Sequence, residues 1–253
     1  PVLVVDMHTT NGSYHQEPVT YSPLLSPNSD PKLVDYMWQK FFPAVTDTLK
    51  KKYGYDSVPY GNFVDREFPE KGWESEAYAA RYVTNYVGMR NRFSVLDENY
   101  SYADFKSRVL ASFSFIKSIL NYTRQNIRTM QQMVMASDIK TQTGFFKENF
   151  ALEYKVEKLM DLTIKSYVFE KEAIKPEDRS KYPPWVKDFI VKKTNTLKDY
   201  KVDYFARPVH TRGVSLPEAY IILPFHDEVI QTLKNHGIMV EKIRKPVQMT
   251  AEN

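Results

Sequence analysis

The sequence predicts an α/β fold. A partial mixed or parallel sheet with helices comes first, and a smaller β-rich α+β domain follows. Three observations carry this expectation. The chain opens on Pro1-Val2-Leu3-Val4-Val5, an apolar run that reads as a central parallel strand covered on both faces. A second strand signal, Arg92-Phe93-Ser94-Val95-Leu96, leads into the longest helical periodicity of the chain, Tyr102 to Ser137. From Phe150 the pattern switches to polar–apolar alternation, the mark of antiparallel strands with one solvated face. The switch places a boundary near Asp138 to Gly144, with one domain over 1–138 and the other over 145–253.

Each element has its own warrant. Thr9 to Asp30 is rich in Ser, Asn and Pro and reads as a long polar loop. Pro31 suits a first helical turn, and a helical stretch runs to Tyr53 in two pieces, because Pro43 breaks or kinks it. Gly54 to Ala80 reads as irregular, with Gly61, Pro69 and Gly72 along it. The strand from about Asn91 ends at Asp97-Glu98-Asn99-Tyr100. In the long helix Ser101 is a capping candidate, and Phe105, Val109, Phe113, Ile116 and Leu120 form the stripe expected to pack on the sheet. Ile127, Met130 and Met133 suit a separate following helix, with methionine as core filler. Phe150 to Glu170 and Lys201 to Val214 are the antiparallel strands. Ala219 to Pro224 and Val240 to Val247 read as short strands around a helix over His226 to Asn235, which His236-Gly237 caps.

Composition narrows the function classes. The 35 basic and 31 acidic residues are well mixed and leave a net charge of +4, which argues against nucleic acid as a partner. There is no cysteine, so disulfides and thiolate metal sites are excluded, and any metal would be held by His, Asp or Glu. No stretch is long and apolar enough to span a membrane. The 18 Tyr and 15 Phe suit cross-strand packing first and a polar ligand second. An apolar strand at the first residue, without a signal peptide, is expected to have further residues upstream.

The residues fit for chemistry gather at two strand ends. Asp6 and His8 lie two apart on an extended segment and so point to one side. A histidine with a carboxylate alongside is what a metal ligand with an outer support requires. Glu98 ends the other strand, where a general base can meet the same water. Taken singly, a strand-end histidine bonded to loop backbone and a solvated carboxylate are the plainer readings. His15, His210, His226 and His236 form neither His-x-x-Glu nor His-x-x-x-His, and His15-Gln16-Glu17 and His226-Asp227-Glu228 read as surface polar groups. No Gly-x-Ser-x-Gly, P-loop or Gly-x-Gly-x-x-Gly motif occurs, and 8 Gly in the whole chain argue against phosphate-cradling loops.

Asp6-Met7-His8-Thr9-Thr10-Asn11-Gly12-Ser13-Tyr14-His15 resembles the third zinc-ligand segment of the zinc carboxypeptidases, in the bacterial branch with a carboxy-terminal accessory domain. Thr84-Asn85-Tyr86-Val87-Gly88-Met89-Arg90-Asn91-Arg92, running on to Ser101-Tyr102, resembles the family's strand with the catalytic glutamate. The likeness covers about Pro1 to Ser137, the later half of a catalytic domain. Ala219 to Ile238 is similar, more weakly, to the accessory domain. By this resemblance the protein is a zinc metallocarboxypeptidase that cleaves terminal residues from peptides, periplasmic or secreted. His8 is then a zinc ligand, Asp6 its outer support and Glu98 the general base and acid. Tyr82 or Tyr86 is then the family's mobile tyrosine and Thr9 a substrate-binding position, while Arg90 and Arg92 read first as surface or sheet-edge charges and second as substrate-binding partners of a carboxylate. The family's upstream His-x-x-Glu zinc ligands and its carboxylate-gripping arginine are not in the sequence, so the chain alone is expected to bind zinc weakly and to be inactive. The competing expectation is a metal-free peptide- or glycan-binding protein on a degenerate peptidase scaffold.

Overall fold

A computed structural model describes residues 1–75, 78–144, 150–184, 186–217, 219–223 and 225–248. The fold is mixed α/β, with parallel and antiparallel pairings among its strands. The chain divides by contacts into a unit over Pro1–Ser215 and a second over Leu216–Asn253, not near 138–144.

The first sheet holds β1 (Leu3–Thr10), β2 (Val19–Pro23), β3 (Ser57–Pro59) and β6 (Phe93–Tyr100), in the order β1-β6-β2-β3. β1 is parallel to β6 and β2 is antiparallel to it. Among the described residues the expected central strand is an edge strand: β1 bonds there to β6 alone, and Leu3, Val4 and Val5 are only half-buried. The expected polar loop contains a wholly buried strand, β2, which the hydroxyls of Thr20 and Ser22 conceal from a hydropathy reading. β6 extends through Tyr100 and is buried at all but one position.

Helices cover this sheet. α1 (Pro31–Tyr36) is capped by the Asp30 side chain, and α2 (Phe42–Tyr53) carries Pro43 in its first turn and ends at Gly54 in the left-handed conformation. A π-helical turn, Met37–Phe41, joins them, so the break expected at Pro43 becomes a wide turn just before it. α3 (Val83–Met89) precedes β6. α4 (Phe105–Gln142) is one continuous helix of 38 residues, capped by Asp104 accepting from the Ser107 N–H, not by Ser101.

Of the stripe expected to face the sheet, Ile116 alone packs against the core. Phe105 is 77% exposed and Phe113 59% exposed, with Val109 and Leu120 exposed as well. α4 instead buries Ala111, Ser112, Ser114, Phe115, Ser118 and Ile119, followed by Met130 and Val134. Small side chains let the helix approach the sheet closely, while Phe115, Ile119, Met130 and Val134 join Val95, Phe93 and Phe42 in the core.

The second sheet has the order β4-β5-β8-β7, with β4 (Asn62–Phe63), β5 (Trp73–Glu74), β7 (Phe150–Ala173) and β8 (Phe189–Val214). β7 and β8 form the expected antiparallel pair, but β8 begins well before Lys201. β5 pairs with β8 through Trp73 and Tyr204, so residues from both sides of the expected boundary share one core of Phe63, Trp73, Ile164, Val202 and Tyr204. That shared core is why the division near 138–144 fails. Trp73 is fully buried and donates Nε1–H to the Pro59 carbonyl at 2.9 Å. Gly61 permits this packing, because a Cβ there would lie 2.6 Å from the Trp73 ring nitrogen and from the Glu74 carbonyl.

The second unit contains α5 (Asp227–Asn235), none of whose residues is buried. Gly237, at φ 72°, caps it as expected, with the Ile238 N–H bonded to the Leu233 carbonyl. The short strands expected at 219–224 and 240–247 do not form among the described residues, and Pro224 lies outside them.

Candidate functional site

The parallel register sets His8 beside Glu98 and Asp6 beside Leu96. Opposed residues of paired strands project to one face, about 5 Å apart at Cα. Asp6, His8 and Glu98 therefore share a face at the carboxyl end of the β1–β6 pair. Asp6 Oδ2 lies 2.8 Å from His8 Nε2, which assigns the Nε2–H tautomer and leaves Nδ1 as the open nitrogen. The His8 ring is half exposed, while Glu98 is 8% exposed and its Oε2 has no hydrogen-bond partner among the described residues.

Burial is the main reason the Glu98 carboxyl is pushed up to about 7. His8 pulls it down, and the negative charges of Asp97 and Asp6 push it further up. A carboxyl that titrates near neutrality both accepts and returns a proton, which is the property a general base and acid requires.

Asp97, which the sequence reading passed over, sits next to it. Strand alternation sends Asp97 to the opposite face, toward α4, where it is fully buried. Burial pushes it up to about 6. The Ser112 hydroxyl pulls the other way, but no hydrogen bond of good geometry reaches the carboxylate among the described residues, so desolvation dominates. Consecutive acids at the end of a buried strand were the signal available in the sequence.

The remaining predicted positions are not brought to Glu98. Thr9 faces the other side of β1, where its hydroxyl accepts from Arg108 at 3.5 Å. Arg92 precedes β6, six residues before Glu98 or roughly 20 Å along an extended strand. Its guanidinium is held by both Asp138 oxygens at 2.8 and 3.0 Å. The Arg90 guanidinium lies 5.7 Å from the Tyr86 ring centroid, at the same far end. Tyr82 caps the start of α3 and its hydroxyl accepts from Arg81 at 3.1 Å. α3 meets β6 where Ser94 donates to the Thr84 carbonyl, roughly 13 Å along the strand from Glu98, so Tyr82 and Tyr86 stand on the correct face but at its other end.

His15 and Glu17, expected at the surface, are both 3% exposed. The His15 ring stacks on Tyr100 at 3.8 Å between centroids, meets Trp73 edge-on, and has Nδ1 3.5 Å from Glu17 Oε2. The Tyr14–Glu17 segment is pinned to β7 by the Gln16 N–H on the Lys165 carbonyl and the Ser166 hydroxyl on the Tyr14 carbonyl. These are tertiary contacts that no local spacing signals.

Among the described residues no group of three or more His, Asp or Glu is disposed to hold a metal ion, and no helix is long and apolar enough to cross a membrane. No protein-family model, curated protein or solved structure matches the chain.

Proposed function

We propose that the chain carries the proton-transfer part of a peptide hydrolase of the zinc metallocarboxypeptidase type, acting on terminal residues of peptides outside the cytoplasm. The single observation that supports this is the pairing of Glu98 with the Asp6-supported His8 across β1 and β6, with Glu98 titrating near 7. In this role Glu98 takes a proton from the water that attacks the scissile carbonyl and delivers it to the departing amine. Asp6 orients the His8 ring through the hydrogen bond at Nε2.

The described residues do not by themselves fit the zinc ion. A catalytic site takes three protein ligands, and here His8 is the one imidazole beside Glu98, with Asp6 already engaged by its ring. That incomplete donor set favours a second reading, a metal-free peptide- or glycan-binding protein. Peptide hydrolysis by the natural full-length protein and by its Glu98→Gln variant, each with and without chelator and with zinc measured by elemental analysis, separates the two. The hydrolase reading expects wild-type activity that Glu98→Gln lowers at least 100-fold. Equal activity in both proteins refutes it. Ligand binding that ignores both chelator and the substitution assigns the second reading.

A further inference from the structure

The sequence holds one Asn-Gly pair, Asn11-Gly12, in the segment that follows β1. An asparagine can react with its own backbone: the nitrogen of the next residue attacks the side-chain carboxamide, and a side chain on that residue is the usual obstacle. Gly12 has none, and the packing requires this. A Cβ at residue 12 would run into the Asn62 carboxamide, whose Oδ1 accepts from the Ser13 N–H at 2.7 Å.

Three features of the fold favour the ring closure. Asn11 is exposed, and its carboxamide has no hydrogen-bond partner among the described residues, so Cγ is free to swing onto the Gly12 nitrogen. The Gly12 N–H takes no part in the strand ladder and reaches the Thr10 hydroxyl only at a long 3.4 Å. The Tyr102 hydroxyl donates to the Asn11 carbonyl at 3.1 Å. When the Gly12 nitrogen gives up its proton, the negative charge of the amide gathers on that same oxygen. A donor already aimed at the oxygen stabilises this anion as an oxyanion hole does, and so makes the nitrogen a better nucleophile. The Tyr102 ring is steadied by Tyr14 and Tyr100, at 4.9 and 5.4 Å between centroids.

We propose that Asn11 is a self-modification site, converted to aspartate and isoaspartate through a succinimide whose formation Tyr102 promotes. The Gly12 nitrogen forms a bond to Asn11 Cγ, and the Cγ–Nδ2 bond breaks. The proton lost by Gly12 leaves with the side-chain nitrogen as ammonia. Water then opens the ring. Addition at Cγ gives aspartate, and addition at the backbone carbonyl carbon gives isoaspartate. Each product places a new carboxylate three residues beyond His8. Isoaspartate also adds one atom to the backbone between Thr10 and Ser13, which Asn62 holds in place, and so draws the carbonyl of residue 11 away from the Tyr102 hydroxyl. The inference is independent of the reaction at Glu98.

The test is incubation of the natural full-length protein at neutral pH, with conversion of Asn11 followed by peptide mass spectrometry and by isoaspartate-specific methylation. A synthetic peptide of residues 6–16, incubated alongside, is the unfolded reference. Asn11 is expected to convert at least three-fold faster in the folded protein than in the peptide. Tyr102→Phe removes the donor and keeps the ring, so it should slow conversion in the folded protein at least three-fold. The comparison with the peptide decides the matter on its own should Tyr102→Phe fail to fold. The proposal is overturned if the folded protein converts less than three-fold faster than the peptide, since the fold then does not promote the reaction. It is also overturned if Tyr102→Phe, shown to be folded by circular dichroism, converts as fast as the wild type.

Discussion

The Glu98→Gln substitution has a consequence that needs no substrate to observe. The Glu98 carboxyl is raised from 4.5 to about 7, chiefly by burial. The folded chain therefore holds a proton that the unfolded chain releases, so stability falls as pH rises from about 4.5 through about 7. At about 1.4 kcal/mol per pH unit the full shift corresponds to roughly 3 kcal/mol, and solvent screening at the partly accessible carboxyl brings this to about 1–2 kcal/mol. Glutamine is isosteric with the protonated acid and does not ionise. Urea unfolding of both proteins from pH 4 to pH 8 should give a difference near zero at pH 4 and a gain of about 1–2 kcal/mol for the variant at pH 8, with unchanged m-value. A difference that is flat with pH, or that grows toward acid, refutes the burial argument and with it the proton-transfer role.

Removing the neighbouring acid through Asp97→Asn takes away a negative charge that pushes Glu98 up, so the Glu98 titration followed by carboxyl NMR should move to lower pH; movement to higher pH counts against the coupling. On α4, Phe113→Ser should leave stability within about 0.5 kcal/mol, whereas Phe115→Ala should cost about 3–5 kcal/mol by thermal or urea unfolding, and the reverse order would restore the stripe expected from the sequence. Gly61→Ala should destabilise by about 1–3 kcal/mol and shift the tryptophan fluorescence, because the added methyl meets the Trp73 ring; an unperturbed Trp73 contradicts the packing of β5 on β8.

What the sequence discloses is what local chemistry controls. The division of the 31–53 stretch into two helical pieces, the Gly237 cap, the strands β1 and β6 and the alternation of β7 and β8 follow from fixed φ angles, missing N–H groups and period-two patterning. Asp6 and His8 are legible as a pair because an extended chain repeats its direction every second residue, and their hydrogen bond at 2.8 Å follows.

What the sequence leaves open depends on partners distant along the chain. α4 offers two apolar arcs, and only the sheet beneath it selects the one marked by serines and Phe115. β2 and Asp97 are polar to the eye yet buried, because burial comes from the elements packed over them. Arg92 reads in sequence as a surface charge or a partner for a substrate carboxylate, and it is committed to Asp138, which lies 46 residues away. His8 and Glu98 are 90 positions apart, and their meeting depends on parallel pairing in one particular register. Strand alternation thus determined which residues could face the site. The strand register, the order of strands in the sheet and the depth of burial belong to the tertiary structure, because hydrogen-bond pairing and desolvation are set by the neighbours that folding assembles.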